Sequence, residues 1–219
     1  MRPISERSGM AADRYQASGA QGEWQPGSGE QVLRNLPGVT DPAQMDEVEL
    51  QLLLQLYEHV LSEEHFPARR LKAADLKEWH RLWLGNVYDW AGEERSVNIA
   101  KGDFHFAAAA QVPRLLTEFE RDCLHRYTPC DGLGGDALAE AIAVCHVELI
   151  LVHPFREGNG RLARLLADVM AVQAGRGPLD YSAWDADTPA YFAAIQRGMG
   201  RDYAPMQELV IRALASAQA

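Results

Sequence analysis

His153-Pro154-Phe155-Arg156-Glu157-Gly158-Asn159-Gly160-Arg161-Leu162-Ala163-Arg164 joins two apolar runs. Ala139 to Val152 lies on its left; on its right Leu162, Leu165, Leu166, Val169, Met170 and Val172 recur at the three-to-four spacing of an amphipathic helix. A histidine therefore sits where one helix ends, and a glycine-rich turn leads into the next. The free N–H groups and positive dipole end of that second helix make an anion site. Arg161 and Arg164 are three apart, share one helix face and can both point at that anion. Glu157 is the carboxylate of the turn, set where a divalent cation could bridge it to phosphate oxygens. His153 is the group there that can take a proton near neutral pH. A tight connector would account for the glycines, since Gly and Asn tolerate positive φ. It leaves the histidine, the carboxylate and the two arginines unexplained.

The stretch resembles the signature of the Fic/Doc (Fido) enzymes, His-x-Phe-x-(Asp/Glu)-Gly-Asn-Gly-Arg-x-x-Arg, with every defined position filled. Val87-Tyr88-Asp89-Trp90-Ala91-Gly92-Glu93, Arg95, Val97 and Lys101-Gly102-Asp103-Phe104 resemble the family's approach to its flap hairpin. Gln31-Val32-Leu33-Arg34-Asn35 resembles an N-terminal segment of bacterial Fic proteins, and the likeness covers roughly residues 30 to 210.

At 219 residues the chain is one domain, with or without an extension, and long enough for a real core. Its composition, 47% hydrophobic and 24% charged, is that of an ordinary soluble globular protein. A net charge of −10 argues against binding nucleic acid through the whole surface. Between His153 and Arg176, however, four arginines (156, 161, 164, 176) face Glu157 and Asp168, a local balance of +2. A positive pocket in an acidic protein suits a small polyphosphate. Cys123, Cys130 and Cys145 show no metal-ligand spacing and read as buried thiols of a reducing compartment. His146 reads as a satisfied core histidine. No signal-peptide pattern or membrane span is evident, so a cytoplasmic protein without membrane attachment is expected.

Residues 1–30, with five glycines and four serines, read as a flexible extension, Tyr15 and Trp24 being the exceptions. Order is expected from Gln31. Helices are expected over 45–61, 72–84, 109–125, 136–152, 161–174, 188–197 and 202–217. Alternation of Val97, Ile99, Phe104 and Phe106 around Lys101-Gly102-Asp103 signals one short β-hairpin. The fold class is mostly α, a helical bundle with one small hairpin. The resemblance implies the same architecture: a Fic domain over 31–219, its Fido core at about 71–210, and the hairpin as flap.

The resemblance further implies a protein adenylyltransferase that moves AMP from ATP to a Tyr, Thr or Ser hydroxyl of another protein. His153 would be the base and Glu157 would help hold Mg²⁺. Gly158, Asn159, Gly160 and the backbone N–H groups would line the anion hole, with Arg161 and Arg164 on the β- and γ-phosphates. Lys101 is an additional nucleotide-binding candidate. Phe155 would support the turn, and Val97, Ile99, Gly102, Phe104 and Phe106 would form a flap that pairs with the target's backbone. Doc-type kinases carry Lys where this chain has Gly160, which favours nucleotidyl transfer. The alternatives are another nucleotide donor, phosphoryl transfer, or a catalytically silent nucleotide-binding regulator. Bacterial Fic toxins make gyrase or topoisomerase IV subunits the candidate targets, with small GTPases next. Family members are commonly restrained by a (Ser/Thr)-x-x-x-Glu-(Gly/Asn) helix, yet no Ser or Thr here has a Glu four residues later. A separate small antitoxin-like protein is therefore the expected restraint.

Overall fold

Helix α5 (Gly135–Val152) is apolar on nearly every side, and twelve of its residues are buried. A helix of that kind has to be surrounded. In the computed structural model, which describes residues 20–101 and 104–216, it is packed against α3 (Val112–Phe119), α6 (Asn159–Gln173), α8 (Thr188–Gly198) and α9 (Ala204–Ser216). The α3 rod continues through a π-helical turn, Glu120–Leu124, into the short α4 (His125–Tyr127). A further short helix, α7 (Ser182–Ala186), was not expected from the sequence. Five residues are too few to display a helical period; Trp184, 1% exposed, holds it in place.

Helices α1 (Pro42–Val60) and α2 (Ala73–Leu84) pack together beside α6. Asp41 caps α1, its Oδ1 accepting the Gln44 N–H at 2.8 Å, and Pro42 stands at the first helical position. The hairpin is β1 (Ala100–Lys101) against β2 (Phe104–His105), antiparallel, with Ala100 opposite His105 and Lys101 opposite Phe104. Gly102 of the expected flap lies outside the described residues.

Order begins earlier than Gln31. The segment from Ala20 folds back on itself: Gln25 N donates to Val32 O at 2.8 Å and Arg34 N to Glu23 O at 2.9 Å. Gln21 ties this segment to the domain, its carbonyl accepting from Arg156 Nε at 2.7 Å and its Oε1 from Ser96 N at 3.0 Å. Backbone and amide bonds do the anchoring here, so a composition poor in apolar residues gave no sign of it. Residues 1–19 of the expected extension, Tyr15 among them, lie outside the described residues.

Candidate active site

The α5 helix stops at His153, whose backbone is left-handed (φ 50°), and α6 starts after Gly158 (φ 80°). Between them the chain makes a tight turn. Asn159 staples it: Oδ1 accepts the Phe155 N–H at 2.9 Å and Nδ2 donates to Phe155 O at 2.8 Å. Both ends of this amide are spent on the turn, so Asn159, expected at the anion hole, acts on the turn's shape. The Phe155 ring is fully buried and stacks on His80, centroids 4.1 Å apart. His80 in turn bridges two segments. Its Nδ1 accepts from Gly92 N at 2.8 Å, so the proton sits on Nε2 and is donated to Glu157 O at 3.1 Å.

His153 itself is buried. Burial pushes its pKa down to about 3; the bond to Ile150 O opposes this, and the weaker effects of the Arg95 and Lys101 charges add to it. With Nδ1 3.1 Å from that carbonyl, Nδ1 carries the proton and Nε2 the lone pair. The ring of Phe106 lies over it, 3.7 Å between centroids.

The two motif arginines do not converge. Arg161 Nη2 donates to Glu49 Oε2 of α1 at 2.7 Å, and its guanidinium lies over Trp83. Arg164 Nη2 donates to Asp185 Oδ1 of α7 at 2.6 Å and lies over Tyr181. A shared face on α6 sets where the side chains leave the helix; the carboxylates of α1 and α7 decide where they end. Glu157 is partly buried. Burial, then the Glu49 charge, raise its carboxyl above the usual range, with Arg161 opposing.

A second carboxylate beside that of Glu157 is the kind of environment a divalent cation relieves. Among the described residues no group of three His, Cys, Asp or Glu side chains could cage a metal ion. The Glu157 carboxyl, beside the Glu49 charge, is of a kind that suits Mg²⁺, which takes one or two carboxylates rather than an all-protein cage. Gly160, by contrast with Gly158, has open space around it.

Residues 70–171 match the Fic/DOC family. The chain carries a Fic domain. A relative from Sinorhizobium fredii, named probable protein adenylyltransferase y4lH, is 28% identical over 81% of this chain and 88% of its own length. Protein adenylyltransferase VbhT of Bartonella schoenbuchensis is 31% identical over 66% of this chain, but that match spans only 30% of VbhT. Among solved structures, the N-terminal Fic domain of an effector from Bartonella sp. AR 15-3 superposes with a TM-score of 0.70 at 20% identity, over 97% of this chain and 95% of its own. BepC of Bartonella tribocorum, solved with AMPPNP, gives 0.65 at 24% identity, over 83% and 91%. Both likenesses establish the fold.

The hairpin of this Fic domain stands against the turn. Val97 and Ile99 have their side chains in the interior (3% and 2% exposed), so only their backbone could meet a target. Phe104 packs edge-on against Phe106, and Lys101 Nζ lies 4.4 Å over the Phe192 ring. A cavity of about 430 Å³, lined by Asn98, Ile99, Ala100, His105, Phe106 and Ala108, runs along the hairpin.

Sequence reasoning missed Glu49, Tyr88, Trp83 and Asp185. For Glu49 a signal existed: it shares a face of α1 with buried Met45, Leu56 and Val60, and a carboxylate on such a face needs partners. It has them in Arg161 and in the Tyr88 hydroxyl, which donates to Oε1 at 2.8 Å. Asp185 had no such signal. His146 is held as a core histidine, bonded to Ala163 O at 3.1 Å and Tyr191 OH at 2.9 Å. The three cysteines are buried, and their thiols are pushed up, Cys123 and Cys130 to about 12. No described helix is long and apolar enough to cross a membrane.

Proposed function

We propose that this chain is a protein adenylyltransferase that moves AMP from ATP to a hydroxyl side chain of another protein. The observation that carries the reading is a buried, neutral histidine at the end of α5, one tight turn from a helix N-terminus and its two arginines. His153 Nε2 takes the proton of the target hydroxyl. Its depressed pKa belongs to a ring buried under Phe106, and incoming phosphates raise it towards the range a general base needs. The α6 N-terminus, with open space at Gly160, receives the phosphates. Arg161 and Arg164, each already oriented by one carboxylate, present their remaining donors to them. Lys101 adds charge on the hairpin side. Glu157 would hold a Mg²⁺ ion, which when bound would supply neutralising charge for the leaving pyrophosphate. The backbone edge of the hairpin holds the target strand.

The finer reading is a toxin-like enzyme restrained by a separate small protein, with gyrase or topoisomerase IV subunits as first candidate targets and GTPases next, acting in the cytoplasm. Its support is the lack of the inhibitory motif in the sequence. The test is incubation with cell lysate and ATP labelled at the α- or the γ-phosphate, with UTP in parallel. Label from α alone, lost in His153→Ala by about 10²–10⁴-fold while ATP binding persists, is the expected result. Label from γ would indicate phosphoryl transfer, and label from UTP another donor. ATP binding with no label from any position would leave a silent nucleotide-binding protein.

A further inference from the structure

Arg95 is 2% exposed, and among the described residues its guanidinium bonds only to main-chain oxygens. Nε donates to His153 O at 2.7 Å, Nη1 to Val97 O at 2.7 Å, and Nη2 to Ala107 O. Its own N–H donates to Pro154 O at 2.8 Å. These acceptors belong to two separate parts of the molecule. Val97 and Ala107 are the two legs of the hairpin, outside the Phe106 N to Ile99 O bond that closes it. His153 and Pro154 are the residues that end α5. A buried cation is costly unless its donors are satisfied, and burial lowers the Arg95 pKa to about 10. Carbonyl oxygens at a helix C-terminus carry the negative end of the helix dipole and supply the compensation. A planar fork with several fixed donors reaches the helix-end carbonyl and the two hairpin carbonyls at once.

We infer that Arg95 is a positioning residue that locks the hairpin to His153, so that a target strand held on the hairpin and the base that deprotonates it move as one body. Two further observations bear on this. His153 is held at φ 50°, a conformation that costs a non-glycine residue energy and persists only where neighbours enforce it. Phe106, the residue before Ala107, stacks on the His153 ring, so the same joint fixes the imidazole from its other side. The nucleotide phosphates are assigned to the opposite end of the turn, at α6, away from this joint. The inference rests on the reading of His153 as the base for AMP transfer, and the test separates its failure from that of the reading.

The variant is Arg95→Lys, which keeps the charge and loses the fork. Transfer from α-labelled ATP to lysate protein should fall about 100-fold, the order expected when a reacting group is misplaced by about 1 Å. The affinity for AMPPNP should stay within about twofold, since phosphate binding lies elsewhere. Amide hydrogen exchange should accelerate at Phe106 and His153 but not in α6. Transfer within threefold of wild type with unchanged hairpin protection would overturn the inference. So would a loss of AMPPNP affinity as large as the loss of transfer. Should the wild-type chain transfer nothing, the AMP-transfer reading fails and the exchange result alone decides the coupling. Should Arg95→Lys not fold, native-state exchange of the wild type decides it. Arg95, Phe106 and His153 amides opening with one shared denaturant dependence support the joint, and a hairpin that opens while His153 stays protected refutes it.

Discussion

Gly158 and Gly160 stand two residues apart in the motif, and alanine at each should fail in a different way. Gly158 has φ 80°, where an L side chain costs about 1–2 kcal/mol. A Cβ there would lie 2.5 Å from Trp83 Cζ3 and 3.0 Å from Cη2. Trp83 cannot retreat: it is fully buried, its Nε1 donates to Glu49 O at 2.9 Å, and Arg161 lies on its ring. Overpacking of this kind adds about 1–3 kcal/mol. Gly158→Ala should therefore cost about 2–5 kcal/mol, on the order of 5–15 °C in Tm for a chain of this size. A Cβ on Gly160 meets nothing within 4 Å and sits in the first turn of a helix, where alanine is the better residue. Gly160→Ala should leave stability unchanged or raise it by up to about 1 kcal/mol. Its methyl group projects into the space assigned to phosphate, so ATP affinity should fall about tenfold or more, a loss of about 1.4 kcal/mol. Urea unfolding followed by tryptophan fluorescence, with calorimetry of ATP binding, measures both. An unchanged midpoint for Gly158→Ala, or a loss above about 1 kcal/mol for Gly160→Ala, would refute the reasoning.

Glu49→Gln keeps a partner for Tyr88 and removes the charge facing Arg161. About 1–2 kcal/mol of stability should go, discounted because a third of Arg161 meets solvent, and a double-mutant cycle with Arg161→Met should show the coupling. Asp185→Asn should change stability by under about 1 kcal/mol, since both partners are partly exposed, and should weaken ATP binding a few-fold by releasing Arg164 from its oriented position; stronger binding would show that Asp185 competes with phosphate for the arginine. His146 and His153 are held neutral by burial, with pKa values near 4 and 3, so the unfolded chain binds protons that the folded one refuses. Each should contribute stability that is present above about pH 6.5 and lost at up to about 1.4 kcal/mol per pH unit as pH falls towards those values. Asp168, raised to about 6 by burial, works in the opposite sense between about pH 4 and 6. Net stability should still rise from pH 5 to 7, and a flat urea midpoint over that range would contradict the burial argument.

The helical bundle, the hairpin and the turn where the chemistry is assigned are all legible in the order of the residues. These are local properties. The 139–152 run is apolar on nearly every side, the helix after it has a clean period, and the residues from His153 to Arg164 are adjacent in the chain. The short helix at Ser182–Ala186 escaped because five residues hold no period, and the ordered segment from Ala20 escaped because backbone bonds, not apolar side chains, anchor it. What the motif residues touch depends on segments far away in the chain. Spacing put Arg161 and Arg164 on one face, but Glu49, 112 positions away, and Asp185, 21 positions away, set their directions. Asn159 was legible as a polar residue of the turn, and only the folded geometry spends its amide on Phe155. Gly158 and Gly160 are identical letters until Trp83 arrives from α2 to fill the space beside one of them. Period and composition report on neighbours along the chain, whereas hydrogen-bond partners and steric room are set by segments that meet only when the bundle closes.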